Sequence, residues 1–107
     1  MSKFIATRNK GFRMTFKNGF AISVQWGPGN YCEKKDEDFD KPEKERFWES
    51  CSAEIAIFDS KDDSMITLGE DTVEGWVSAD QVAKVITIVQ SSKTKEEIQQ
   101  KYKALNI

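Results

Sequence analysis

The chain contains no histidine. That excludes a histidine-based catalytic triad and any histidine-ligated metal site. Cysteine is almost as scarce. Cys32 and Cys51 stand far apart, with no Cys-x-x-Cys pair. Two thiolates do not complete a tetrahedral zinc site, so no metal and no cofactor are expected. In a reducing setting the pair reads as two partly buried thiols; a disulfide between them needs an oxidising compartment. No apolar run approaches the about 18 residues that span a membrane. Met1-Ser2-Lys3-Phe4-Ile5-Ala6 lacks the apolar stretch and cleavage site of a signal peptide, and a cytoplasmic location is expected.

Acid is missing from the first 32 residues. Lys3, Arg8, Lys10, Arg13 and Lys17 give that stretch a balance of +5, so the remainder carries −7 to reach the overall −2. One reading is an anion-binding N-terminal sheet; the other is internal charge complementarity between a basic and an acidic half. The net negative charge argues against coating of DNA.

What is present is enough for one core. The 107 residues, 38% apolar with seven Phe and three Trp, suit a single domain over 1–107. Residues 3–7 read as a first strand and Arg8-Asn9-Lys10-Gly11 as a turn. Phe12, Met14 and Phe16 alternate with polar residues, as do Phe20, Ile22 and Val24. Between them, Asn18-Gly19 marks a tight turn. A two-residue loop would set the two apolar rows on opposite faces. A three-residue loop, Lys17-Asn18-Gly19, pairs Phe16 with Phe20, Met14 with Ile22 and Phe12 with Val24. Burial of one face selects the second, with a type I turn and Gly19 left-handed in a bulge. Arg13, Thr15, Lys17, Ala21, Ser23 and Gln25 then form a face that is solvated or binds something polar.

Twelve of the fourteen residues from Glu33 to Arg46 are charged, which reads as a solvated surface loop, with Phe47-Trp48 anchoring its far end. Cys51, Ala53, Ile55 and Ile57 share one face of a further strand. Asp59–Ser64 is a turn. Residues 65–68 and 73–77 are expected to pair as a hairpin around Gly69-Glu70-Asp71. Ser78-Ala79-Asp80-Gln81 is a capping box, followed by Val82, Val85, Ile86 and Val89 at helical spacing. Ser91-Ser92 breaks that helix. Thr94 and Glu97 suggest a second box, before a last helix with Ile98, Tyr102 and Leu105 inward. The fold class is therefore α+β: an antiparallel β-meander of about five or six strands packed against two C-terminal helices.

The best candidate site in the sequence is Gly27-Pro28-Gly29-Asn30, flanked by Trp26 and Tyr31. Glycine lets backbone N–H groups approach an anion, and an aromatic neighbour stacks on a ring. The loop lacks the Gly-Lys-Ser/Thr ending of a P-loop, and a structural turn whose aromatics plug the core is the alternative. Asp36, Asp38 and Asp40 resemble an EF-hand start, but Lys41 and Phe47 stand where glycine and glutamate are needed. Glu54, Asp59 and Glu74 are candidate acid–base carboxylates only if the fold gathers them; otherwise they are surface acids. Phe12, Phe16, Phe20 and Trp26 on a basic ribbon suggest a nucleic-acid stacking platform, but the register turns them inward. Trp48 and Trp76 read as core or interface residues.

Gly11-Phe12-x-Met-Thr-Phe16-x-Asn-Gly19, Ser23-Val-Gln-Trp26-Gly27-x-Gly29-Asn30-Tyr31-Cys32 and Ser52-Ala53-Glu54-Ile-Ala56 together resemble a family of small proteins encoded by bacteriophages and prophages. The similarity continues into Gly75-Trp76 and the Ser78 helix start, and covers about half the chain. The resemblance implies an accessory protein working in the host cytoplasm. Small phage proteins often counter host defence, and one class, the molecular sponges, sequesters cyclic or ADP-ribose-type signalling nucleotides without chemistry. By that analogy the expected role is non-enzymatic binding of a small anionic ligand by a homo-oligomer. The expected site residues are Arg13, Trp26, Gly27, Gly29, Asn30 and Tyr31, with Lys10 as a further source of charge. A protein-interaction inhibitor of a host enzyme, docking through the 33–46 loop, is the alternative. A carboxylate-dependent hydrolase using Glu54 is the second alternative.

Overall fold

The computed structural model describes residues 2–7, 10–27 and 49–106. The charged segment 33–46, Phe47-Trp48 and the Asp36–Asp40 run lie outside the described residues. Among the described residues six strands and two helices follow one another: β1 (Lys3–Ala6), β2 (Gly11–Thr15), β3 (Phe20–Gln25), β4 (Ser52–Asp59), β5 (Ser64–Ile66), β6 (Val73–Ser78), α1 (Ala79–Ser91) and α2 (Lys95–Leu105). All described pairings are antiparallel, and the class is α+β as expected.

The β2–β3 register follows the burial argument. Met14 lies opposite Ile22 and Phe12 opposite Val24. The Phe16 N–H donates to the Phe20 carbonyl at 2.8 Å, and the Gly19 N–H to the Phe16 carbonyl at 3.0 Å. That is a three-residue loop, and Gly19 takes φ +92°, where a side chain is disfavoured. The β1–β2 connection repeats the pattern. Thr7 N–H donates to the Gly11 carbonyl at 3.0 Å and Lys10 N–H to the Thr7 carbonyl at 2.6 Å. Gly11 is required for another reason: a Cβ there would stand 2.0 Å from the Val24 carbonyl oxygen.

Beyond β4 the expected 65–68/73–77 hairpin does not form. β5 and β6 each pair with β4, end to end along the edge that β3 leaves open: Ile57 faces Ile66, while Ala53 faces Val77 and Ala56 faces Val73. The β4–β6 ladder is bulged: three residues of β4, from Ala53 to Ile55, oppose four of β6, from Val77 back to Glu74. The extra residue falls at Gly75-Trp76, and Trp76 takes the positive φ of +53°. The bulge carries both Glu74 and Val77 to the inner face, against the simple alternation of the segment.

Helix α1 crosses the inner face over β3, β4 and β6, and α2 packs on α1. Ile22, Ile55, Ile57, Val85, Val89 and Ile98 are fully buried between these layers, and each large aliphatic so buried contributes about 1.5–3 kcal/mol. Ile88 takes the buried place that helical spacing assigned to Ile86, which is half-buried. The Ser78 box is complete: its hydroxyl accepts from Gln81 N–H and Gln81 Oε1 accepts from Ser78 N–H. At α2 only half a box forms. Thr94 Oγ1 accepts from Glu97 N–H, but Glu97 Oε1 reaches back to Lys93 N–H instead of Thr94.

The candidate functional site

The outer face of the sheet is where the sequence offers polar chemistry. Two rows cross it: Ile5, Arg13, Ser23, Ala56 and Val73, then Lys3, Thr15, Ala21, Phe58 and Met65. The expectation of a wholly solvated or ligand-facing row is corrected here, because Thr15 and Ala21 are buried. Arg13 forms part of the layer beside them. Its guanidinium lies 4.5 Å from the Phe58 ring centroid, and its Nη2 donates to Asp63 Oδ1 at 2.8 Å. A planar cation laid on an aromatic ring gains from the ring quadrupole, and the Arg stem shields apolar neighbours. Asp63 sits in the β4–β5 turn at φ +59°.

Beside this layer, at the β1 end of the sheet, the outer face opens into a concavity of 530 Å³ lined by Lys3, Ile5, Arg13, Thr15, Ser60, Lys61 and Asp63 among others. Three cations face one carboxylate. Ser60 adds a hydroxyl that is buried without a hydrogen-bond partner among the described residues, and its N–H is spent on the Gly19 carbonyl at 2.8 Å. The volume lies within the about 300–1,000 Å³ typical of small-molecule sites.

Of the residues expected at the site, the described ones do not share one face. Arg13 is in the outer concavity. Trp26 is on the inner side, edge-on to Phe12 with ring centroids 6.3 Å apart, and its backbone N–H donates to the Lys10 carbonyl at 2.7 Å. It lines a separate apolar cavity of 240 Å³ with Phe12, Val24, Ala53, Val77 and Val82. Gly27 is buried with φ +104°. Gly29, Asn30 and Tyr31, like Pro28 and Cys32, lie outside the described residues. Cys51 is exposed, where partial burial was expected. Trp76 is 59% exposed and is no core residue.

The carboxylates are also dispersed. Glu54 is opposite Gln25 in the outer row next to Ser23, and Asp59 is opposite Phe20 at the end of β4, its Oδ1 accepting from Lys61 N–H. Glu74 is on the inner side opposite Ile55. Burial, then the nearby charge of Asp71, raises the Glu74 pKa; burial, then Glu74, raises that of Tyr102. Among the described residues no group of three Cys, Asp or Glu side chains is placed to hold a metal ion. No helix among them is long and apolar enough to cross a membrane.

Sequence reasoning counted Lys3 in the basic N-terminal stretch but did not place it at the site, where the β1–β2 pairing sets it; it missed Ser60 and Lys61, which the β3–β4 pairing brings to the same side. It also read Asn18 as a turn residue alone. Asn18 Nδ2 faces three carbonyls at the end of α1, Val89 at 2.7 Å, Gln90 at 3.2 Å and Ser92 at 2.8 Å, while its Oδ1 accepts from Phe20 N–H. The hairpin tip thus caps the helix C-terminus, whose last carbonyls have no intrahelical donors. No protein family, curated protein or solved structure matches the chain.

Proposed function

We propose that this protein is a non-enzymatic binder of a small anionic ligand, held in the outer-face concavity rather than at the Gly27–Tyr31 loop. The observation that carries the reading is the gathering of Lys3, Arg13 and Lys61 against the single carboxylate of Asp63 around one opening, beside the unsatisfied Ser60 hydroxyl. Two ammonium groups and the rest of the guanidinium fork favour a phosphate-bearing molecule, because charge-assisted hydrogen bonds to phosphate are the strong kind. Ile5 offers an apolar wall for the uncharged part. The resemblance to phage-encoded proteins directs the search toward signalling nucleotides, and sequestration of such a signal is the role proposed.

The test is calorimetric titration of the full chain at low salt with inorganic phosphate, cyclic nucleotides and ADP-ribose. Binding of at least one, weakened by added salt and by a combined Lys3→Ala and Lys61→Ala exchange, is the expected result. No heat and no thermal stabilisation from any of them at millimolar concentration would reject the reading.

A further inference from the structure

The hydrogen-bond alternation of the first hairpin fixes which way the backbone of β1 points. Thr7 and Gly11 form a hydrogen-bonded pair, with the Thr7 N–H donating to the Gly11 carbonyl. Such pairs alternate along an antiparallel ladder. Ile5–Arg13 and Lys3–Thr15 are therefore hydrogen-bonded pairs, and Phe4–Met14 and Ala6–Phe12 are not. The N–H and C=O groups of Phe4 and Ala6 point away from β2, at the outer edge of the sheet. Among the described residues no strand pairs with that edge. Every residue of β1 is exposed, including Phe4 at 77% and Ile5 at 45%.

We propose that this edge is a dimerisation surface, and that its occupant is β1 of a second copy of this chain, antiparallel across a two-fold axis. One register satisfies all four outward groups of each strand. Phe4 of one copy forms a hydrogen-bonded pair with Ala6 of the other, and Ala6 with Phe4, giving four hydrogen bonds. Ile5 then meets Ile5 on the axis. Lys3 stands opposite Thr7, so no like charges are opposed. The faces also match: Phe4 lies over Ala6 on the inner side, and the two Ile5 side chains meet on the outer side. The exposed apolar residues Phe4 and Ile5 are thereby covered by the same residues of the second copy, as an isologous contact requires.

The interface is small beside the about 1,200–2,000 Å² of tight complexes, so the dimer dissociates on dilution. The inference does not depend on the ligand reading, and no ligand enters its test. Sedimentation of the full chain across a concentration series should show a species of twice 12.2 kDa giving way to a monomer. Phe4→Pro removes an outward N–H without touching the β1–β2 ladder, and should weaken the dimer roughly tenfold or more. Circular dichroism of that variant should remain native.

Register is read by cross-linking in a background with Cys32→Ser and Cys51→Ser. Directly opposed, non-hydrogen-bonded residues have Cα atoms about 4.5 Å apart, within disulfide reach. Ile5→Cys should therefore form a disulfide-linked dimer on mild oxidation, whereas Lys3→Cys should not. A monomer at every concentration, assemblies larger than two, equal cross-linking at positions 3 and 5, or a folded Phe4→Pro variant that dimerises as well as the parent would each overturn the proposal.

Discussion

The two faces of the β2–β3 ribbon are built from alternate residues of the same short stretch, yet they close in different ways. On the inner face, Phe16, Phe20, Ile22 and Val24 are covered by whole elements, so each side chain is locked by neighbours from other parts of the chain. On the outer face, Ala21 and Thr15 are buried while a single arginine, stacked on Phe58, forms part of the layer beside them. The inner face is a core in the energetic sense. The outer face is a partial lid beside an open, charged concavity. Burial by itself therefore does not distinguish a structural residue from one next to a site; what lies over it does.

The largest effect is expected at Ile57 of β4, which lies opposite Ile22 on the inner face. Fully buried, it should lose about 2–5 kcal/mol on Ile57→Ala, seen as a large fall in the urea midpoint. Asn18 comes next, because it joins the ribbon to α1. Asn18→Ala leaves the Val89 and Ser92 carbonyls without their side-chain donor and should cost about 1–3 kcal/mol by the same measurement. Asn18→Asp keeps the acceptor for Phe20 but faces those carbonyls with a negative charge, and should rescue little.

Outer-face changes should be milder. Arg13→Ala should cost about 1 kcal/mol, most of it insensitive to salt, because stacking on Phe58 and stem packing outweigh the ion pair. Asp63→Asn should cost less still, about 0–1 kcal/mol, since the Asp63 side chain is 70% exposed. Equal effects of the two exchanges would mean that the ion pair, not the stack, holds the lid.

The smallest effect belongs to Glu74, whose raised pKa reverses the usual acid sensitivity of a carboxylate. Its protonated form suits the fold, so its contribution is fully present below the ordinary glutamate range and is lost as pH rises through its raised value. Glu74→Gln should accordingly raise the melting temperature at neutral pH. Discounted for solvent screening, the gain is about 1 °C. It should vanish in scans run at a pH low enough to protonate glutamate.

Much of the architecture was legible because burial and local chemistry agreed. Only the three-residue loop put all six apolar residues of the ribbon on one side, and the Ser78–Gln81 box marked the start of α1. The bulge at Gly75-Trp76 was not legible: a tryptophan in the left-handed region contradicts local preference, and only the pairing of β6 with β4 imposes it. The same holds for β5 and β6 sharing one edge. For the candidate site, Arg13 was found from the charge asymmetry of the first 32 residues. Lys3 belongs to the same asymmetry but was not singled out, and Ser60 and Lys61 gave no signal, because a concavity assembled from three distant segments leaves no spacing to read. The Gly27–Tyr31 loop was favoured for its glycines and flanking aromatics; Gly27 is its one described residue, and Trp26 beside it stands on the inner side, away from Arg13.

The Asn18 contact bears on how the chain folds. It links positions separated by 71 to 74 residues, whereas the two N-terminal hairpins close over three-residue loops. Local hairpins form on the microsecond scale, and long-range closures come later because they first restrict more of the chain. The ribbon should thus exist before the helices find it, and Asn18 should act as a late fastener. Replacing it should mainly speed unfolding while leaving the refolding rate almost untouched.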